Sequence, residues 1–263
     1  MPLFSIITVC YNSEKTIVRT LESVLVQEFK DYEYIIVDGA SSDRTVEIIR
    51  KYEPLFEGRM HWKSEPDKGI YDAFNKGILQ AGGEYVWLVN SDDFIENDAL
   101  SVIEKSIADN NTPDSAVLSF YTRFVESSGR SNIVKAYKNQ ERKNYLRDWV
   151  ISPHPSIIVP RKIYTDVYMY DPVFRIIGDI DWFHNVYKRG VRFNFLPYVI
   201  INFTDSGISN NVNQTVIKKD WKYYFNKNYR WPISVFHEFL QQCHNIRVAA
   251  KKQFGILIRK IGR

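Results

Sequence analysis

The chain has 263 residues, of which 44% are hydrophobic, 25% charged and 15% aromatic, with a formal net charge of +4. That length is near the upper limit for one hydrophobic core, and the composition is that of a folded globular domain, which excludes a disordered, collagen-like or disulfide-scaffold protein. Two cysteines, Cys10 in an apolar run and Cys243 near the end, are too few to staple a fold and fit a reducing compartment, the cytosol.

The first predicted element is a β-branched run, Phe4 to Cys10, and polar residues then open a stretch with Ile17, Leu21, Val24 and Leu25 on one helical face. No basic leader precedes the run, which reads against an export signal, and no segment approaches the ~18 apolar residues of a spanning helix. Tyr34 to Val37 is a second strand ending at Asp38-Gly39, after which Ser41-Ser42-Asp43 starts a helix carrying Val46, Ile49 and Tyr52. Met60 to Lys63 is a weaker strand, Ile70 to Leu79 a helix, and Gly82-Gly83 a turn into the buried strand Glu84 to Val89. These strand-helix repeats predict an α/β fold with a mostly parallel sheet, right-handed crossovers and flanking helices.

Past Leu100 the rhythm changes. Strand-like Ala116 to Val125 and Ile133 to Tyr137 bracket the turn-rich Ser127 to Arg130 and predict a hairpin. Helical pattern returns over Arg161 to Val167 and Asp179 to Arg189, and a last strand spans Val191 to Val199. The plan is one domain over 1–210, with halves 1–100 and 101–210, followed by a basic helical extension over 211–263. From Lys218 to Arg263 there are eleven Lys or Arg against two Asp or Glu, so the rest of the chain is acidic. Ile246, Ala250, Phe254, Leu257 and Ile261 recur at spacings of 4, 4, 3 and 4, an apolar helical stripe flanked by bases. Such a stripe suits peripheral contact with an anionic membrane surface; packing on the domain or on a second subunit of a homo-oligomer is the other reading. No recognised nucleic-acid motif interleaves with these bases, so nucleic acid is not an expected partner.

In an open parallel sheet, ligands bind outside the carboxyl ends of the strands. The unusual polar residues fall there: Tyr11, Asn12 and Ser13 after the first strand, Asp38 after the second, Asp92 and Asp93 after the buried one. Taken singly, each would serve equally well as a helix cap or turn. Three strand ends together point at one cleft. Adjacent carboxylates repel unless a cation or donors offset them, and Mg2+ or Mn2+ held by one or two carboxylates plus substrate phosphates fits that need.

Four blocks carry a family resemblance: Ser5 to Asn12; Ile36-Val37-Asp38-Gly39 through Thr45; Glu65-Pro66-Asp67-Lys68-Gly69-Ile70-Tyr71-Asp72 through Gly77; and Leu88 to Asp93. In order and spacing they resemble family 2 glycosyltransferases of the GT-A (Rossmann-like) fold, and the third block is similar to bacterial exopolysaccharide and O-antigen enzymes of the colanic acid type. The resemblance implies that Thr8, Val9, Tyr11 and Asn12 line a nucleotide pocket, that Asp38 bonds the base, and that Lys68, Gly69 and Asn75 sit near the nucleotide. It implies that Ser91-Asp92-Asp93 stands in for an Asp-X-Asp motif, Asp92 facing ribose or metal and Asp93 binding metal, with Ser91 in the place of the first carboxylate. Ile177-Gly178-Asp179-Ile180-Asp181-Trp182 resembles the family's acidic acceptor-side motif, which maps the catalytic base to Asp179, or to Asp181 if the roles are exchanged. Gly178 stands where many members carry Glu. Trp182 and His154 fall on the acceptor side, and the loop Asp205 to Ser209 has a counterpart near the diphosphate.

The activity so implied is metal-dependent, inverting transfer of a sugar from a nucleoside-diphosphate donor, a UDP-sugar being favoured. Its acceptor would be a lipid-linked glycan at the inner face of the cell membrane. A nucleotidyltransferase and a non-catalytic nucleotide-sugar-binding module are the alternatives. The first usually shows a Gly-rich phosphate loop where this chain has Tyr11-Asn12-Ser13-Glu14.

Overall fold

The computed structural model describes residues 1–109, 116–126, 128–135, 137–138, 150–151, 153–204 and 214–229. Four strands, β1 (Phe4–Cys10), β2 (Tyr32–Asp38), β3 (Met60–Ser64) and β4 (Tyr85–Leu88), lie parallel in the order β3-β2-β1-β4. The helices α1 (Ile17–Leu25), α2 (Thr45–Tyr52) and α3 (Ile70–Gln80) connect them. β1 is buried at every position, as a strand with helices on both faces must be. Ile6, Cys10, Tyr34 and Trp87 share one apolar cluster with Ile17, Leu21 and Val24 of α1. On the other face Ile7 and Val37 pack against Gly77 of α3, where a side-chain carbon would lie 2.5 Å from Ile7 Cγ2.

The second half extends the same sheet. β5 (Phe94–Ile95) leads into α4 (Ala99–Asp109), followed by β6 (Ala116–Val125), β7 (Ser131–Val134), the pair β8 (Tyr137–Lys138) and β9 (Val150–Ile151), then β10 (Ile157–Pro160), α5 (Gly178–Lys188) and β11 (Arg192–Thr204). β10 runs antiparallel between β4 and β6, and β11 runs parallel to β6, so β6 and β11 point the same way as the first four strands. The hairpin is present as β6 against β7, with Thr122 opposite Val134. The helical pattern over Arg161 to Val167 is present, and elements appear that were not predicted, among them α4 and β10. The chain past Leu100 continues as the helix α4, whose Leu100, Ile103 and Ala99 are buried. The region before Arg161 holds the unpredicted strand β10, and Arg161 to Val167 is a tight helical turn ending in a π-helical stretch over Ile163–Val167.

The chain divides into two compact units, Met1–Asn211 and Val212–Arg263. Of the second, the described part is the helix α6 (Gln214–Tyr229), along which the rings of Trp221, Phe225 and Tyr229 follow one another. The stripe from Ile246 to Ile261 and Cys243 lie outside the described residues. Among those residues, no helix is long and apolar enough to cross a membrane.

One close approach in the sheet yields a stability test. Gly83 donates its N–H to Ser5 Oγ at 2.8 Å, and a Cβ there would meet Ser5 Oγ at 2.6 Å and Ser5 N at 2.7 Å. The β1 backbone cannot yield without breaking its ladder. Gly83→Ala is expected to cost about 1–3 kcal/mol, as overpacking does, read as a lower urea midpoint at unchanged m-value. An unchanged midpoint would show that the turn relaxes freely.

Candidate active site

The loops after β1, β2 and β4 are woven together by their own polar groups. Asn12, held at φ 50°, accepts from the Ser42 N–H at 2.9 Å, while its own N–H donates to Ser41 Oγ at 2.8 Å. Ser13 donates its N–H to Thr45 Oγ1 at 2.7 Å, and its hydroxyl lies 2.9 Å from the Ser91 hydroxyl. The left-handed conformation suits Asn, whose amide bonds locally. Tyr11 is left 59% exposed at the rim, with Gly39 and Asp67 beside it.

Asp38 ends β2 fully buried, and its carboxylate accepts from the Ser41 N–H and hydroxyl and from Ser64 Oγ. The Cys10 thiol, 3.5 Å away, is pushed up by burial and by this carboxylate, so it stays protonated. Thr8 is enclosed in the core, its hydroxyl accepting from Tyr34 at 3.0 Å, and Val9 is buried in the sheet. Both underlie the loop.

Asp92 and Asp93 separate. Asp93 is fully buried: Oδ1 accepts from the Thr204 N–H at 3.0 Å, Oδ2 from the Asn90 amide at 2.9 Å, and its backbone carbonyl from Thr20 Oγ1 at 2.6 Å. Burial and the neighbouring Asp92 hold its carboxyl well above the usual carboxylate range. It ties the turn to β11 and α1. Asp92 is partly exposed, and its backbone carbonyl accepts from Thr204 Oγ1. Among the described residues, no three His, Cys, Asp or Glu converge to hold an ion by themselves. One accessible carboxylate completed by phosphate oxygens and water is still a normal Mg2+ arrangement, so the residues present fit a metal that arrives with a diphosphate.

Asp179 sits in the first turn of α5, partly buried, and accepts from the Ile180 N–H at 2.9 Å. Burial raises it to about 6, against the opposing pull of the backbone N–H groups and Tyr71. Asp181 is turned into the core, accepting from Tyr168 OH at 2.8 Å and from the Asn185 amide at 3.2 Å. Trp182 is fully buried, its ring stacked on Tyr170 and its N–H donated to the Tyr168 carbonyl. Neither presents a surface to an acceptor. His154 shares a short hydrogen bond of 2.6 Å with Tyr170 OH, and burial lowers it to about 4, so it is neutral at physiological pH. Asn75 clamps the Tyr170 backbone reciprocally, its amide donating to the carbonyl at 2.8 Å and accepting from the N–H at 3.1 Å.

Lys68 and Gly69 begin α3. The Lys68 carbonyl accepts from Arg175 Nη1, and Gly69 takes φ 121°, with Arg175 filling the space a side chain would need. The segment before α5 is thereby joined to the start of α3. The sequence reading gave no role to Arg175, Asn90 or Tyr71. Only Asn90, three residues before Asp93 at a strand end, had a local signal, that of an Asx turn.

A four-stranded parallel β-α unit continued by a mixed half, with polar loops gathered at the carboxyl ends, is the GT-A class of α/β fold. Residues 5–167 match the model of Glycosyl transferase family 2, so the chain belongs to that family. It is 26% identical over 230 residues to an uncharacterized glycosyltransferase of Methanocaldococcus jannaschii, spanning 85% of this chain and 78% of that one. An uncharacterized glycosyltransferase of Mycobacterium tuberculosis is 40% identical over 93 residues, but these are 35% of this chain and only 34% of that protein. Among solved structures, S. aureus TarS 1-349 in complex with UDP superposes with TM-score 0.64 at 23% identity over 85% of this chain and 64% of that one. The Pyrobaculum calidifontis mannosyltransferase PcManGT, in complex with GDP-Man and Mn2+, gives TM-score 0.63 at 19% identity over 88% and 65%.

Proposed function

We propose that the protein transfers a sugar from a nucleoside-diphosphate donor, a UDP-sugar being favoured, to an acceptor hydroxyl with inversion at the anomeric carbon. The observation that carries this reading is Asp179, a partly buried carboxylate raised to about 6 at the helix end that faces the start of α3. A base with that value is ionised at neutral pH yet basic enough to take a hydroxyl proton in the transition state. The acceptor oxygen attacks as Asp179 removes its proton, and the diphosphate leaves from the opposite side in one displacement. Asp92 would hold Mg2+ or Mn2+ with the donor's phosphates, and such an ion supplies Lewis-acid stabilisation of the leaving diphosphate. Tyr11 and the Asn12–Ser42 loop pair border the nucleotide, and Asp38 orders the Ser41 and Ser64 hydroxyls beneath it. Asp93, Asn75, Asp181, Trp182 and His154 act as supports of the site.

The acceptor we assign is a lipid-linked glycan at the cytoplasmic face of the membrane, supported by the surplus of bases after Lys218. UDP-, GDP- and TDP-sugars screened for nucleoside-diphosphate release, with and without a lipid-diphosphate-linked acceptor, test both parts. Release that depends on acceptor and on a divalent ion is expected. Donor binding without release would leave only a binding module, and release indifferent to acceptor would leave a hydrolase.

A further inference from the structure

Tyr71 has no role in the reaction as written, yet both its ring and its hydroxyl are committed to the base. The ring lies over Gly178, where a Cβ would come within 2.7 Å of Tyr71 Cε2 and 2.8 Å of Cδ2 and Cζ. No side chain fits at the position before Asp179 while that ring stays in place. Stacking on Tyr170, with centroids 5.6 Å apart, and contact with Phe74 keep it there. The hydroxyl donates to the Ile176 carbonyl at 2.7 Å and lies 3.5 Å from Asp179 Oδ1. A phenol has one proton and turns about its C–O bond, so these two acceptors share it in alternation. Asp181, the other group near enough in sequence to assist Asp179, is held by Tyr168 and Asn185.

We infer that Tyr71 is the positioning residue of Asp179, its proton resting on the Ile176 carbonyl while the carboxyl is neutral and turning to Oδ1 once Asp179 is ionised, which fixes the carboxylate for the acceptor hydroxyl. Gly178 is the complement of this arrangement: the phenol of α3 occupies the space that a side chain at the head of α5 would otherwise fill. The inference rests on the reading of Asp179 as base. A catalytic hydrogen bond that is long without substrate and tightens in the complex is ordinary behaviour. Among the described residues, the groups facing Asp179 are Tyr71 from α3, the N–H groups of Asp179 itself and of Ile180, and Tyr170, whose hydroxyl is kept neutral by burial and by charges that include Asp179.

The test uses the full chain labelled with carboxyl-13C aspartate, the Asp179 resonance being the one lost in Asp179→Asn. Its midpoint is expected at about 6. Tyr71→Phe retains the ring over Gly178 and removes only the donor to the charged form, so the midpoint should rise by roughly half a unit or more. Gly178→Ala, which displaces the ring, should move it in the same direction. With the donor and acceptor returned by the screen, Tyr71→Phe should lower kcat about tenfold at unchanged donor KM, with the acid limb of the pH profile moved upward. A midpoint that stays put or falls in a Tyr71→Phe protein of wild-type melting temperature overturns the inference. If instead Asp179→Asn keeps full turnover, the base assignment is what fails, whatever the Tyr71 midpoint does.

Discussion

Asp179→Asn is expected to lower turnover by about 100-fold or more while leaving donor affinity unchanged, because a general base contributes at least that much and its contacts are with Tyr71 and the Ile180 N–H rather than with the loops after β1 and β2. The pH dependence supplies the sign. Asp179 must be ionised to accept a proton, so wild-type kcat should rise with pH through about 6, and the residual rate of the Asn variant should lack that limb. Stability moves the other way. The folded value lies above the unfolded one, so the neutral carboxyl stabilises the fold below the ordinary carboxylate value, and that contribution is lost as pH rises through about 6. Above that pH Asp179→Asn should therefore melt no lower than the wild type, which separates lost chemistry from lost folding. Asp181→Asn disturbs the Tyr168 and Asn185 bonds and should lower the melting temperature first. Loss of turnover with an intact fold in that variant, and not in Asp179→Asn, would reverse the assignment.

Asp92→Ala and Asp93→Ala should fail in different ways. Removing Asp92 takes away the accessible carboxylate. If an ion there is worth several kcal/mol to the leaving diphosphate, turnover should drop by roughly 100-fold or more, with the melting temperature preserved and saturating Mn2+ unable to restore the rate. Removing Asp93 breaks the bonds it accepts from the Thr204 N–H and the Asn90 amide. Each lost hydrogen bond costs about 0.5–1.5 kcal/mol, so this variant should lose stability before activity can be compared. A stable Asp93→Ala protein that has lost its response to metal would instead make Asp93 the ligand.

The first half was readable from local pattern, since β1 to β4 alternate with amphipathic helices and each connection is short. Of the second half the β6–β7 hairpin, α5 and the start of β11 were readable too, but β10 was not, because it owes its existence to distant partners. β10 is four residues long, begins just after Pro155 and ends at Pro160, signs that argue against a central strand; only its place between β4 and β6 makes it one. α4 carries a legible signal, Leu100, Ile103 and Ile107 at helical spacing. Helical geometry also separates Asp179 from Asp181. Two residues differ by ~200° around an axis with 3.6 residues per turn, so if Asp179 faces the cleft, Asp181 and its Tyr168 bond face the core. Adjacent Asp92 and Asp93 gave no such handle, because the choice between them is made by Thr204.

That bond to Thr204 spans 111 residues of chain, and it sets when in the life of the protein the site can exist. A ribosome adding roughly 5–20 residues per second exposes the whole β1–β4 unit on the order of ten seconds before β11 emerges. During that interval β5 lacks its neighbour, Ile95 waits for Ile201, and the Asn90–Asp93 turn is tied to the β1 loop through Ser13 and to α1 through Thr20 but still lacks its Thr204 bonds. A nascent chain can therefore complete its first core while the Asn90–Asp93 turn is still without the strand that fixes it. Competence to handle a donor sugar should appear as a late step, after the last strand of the sheet has docked.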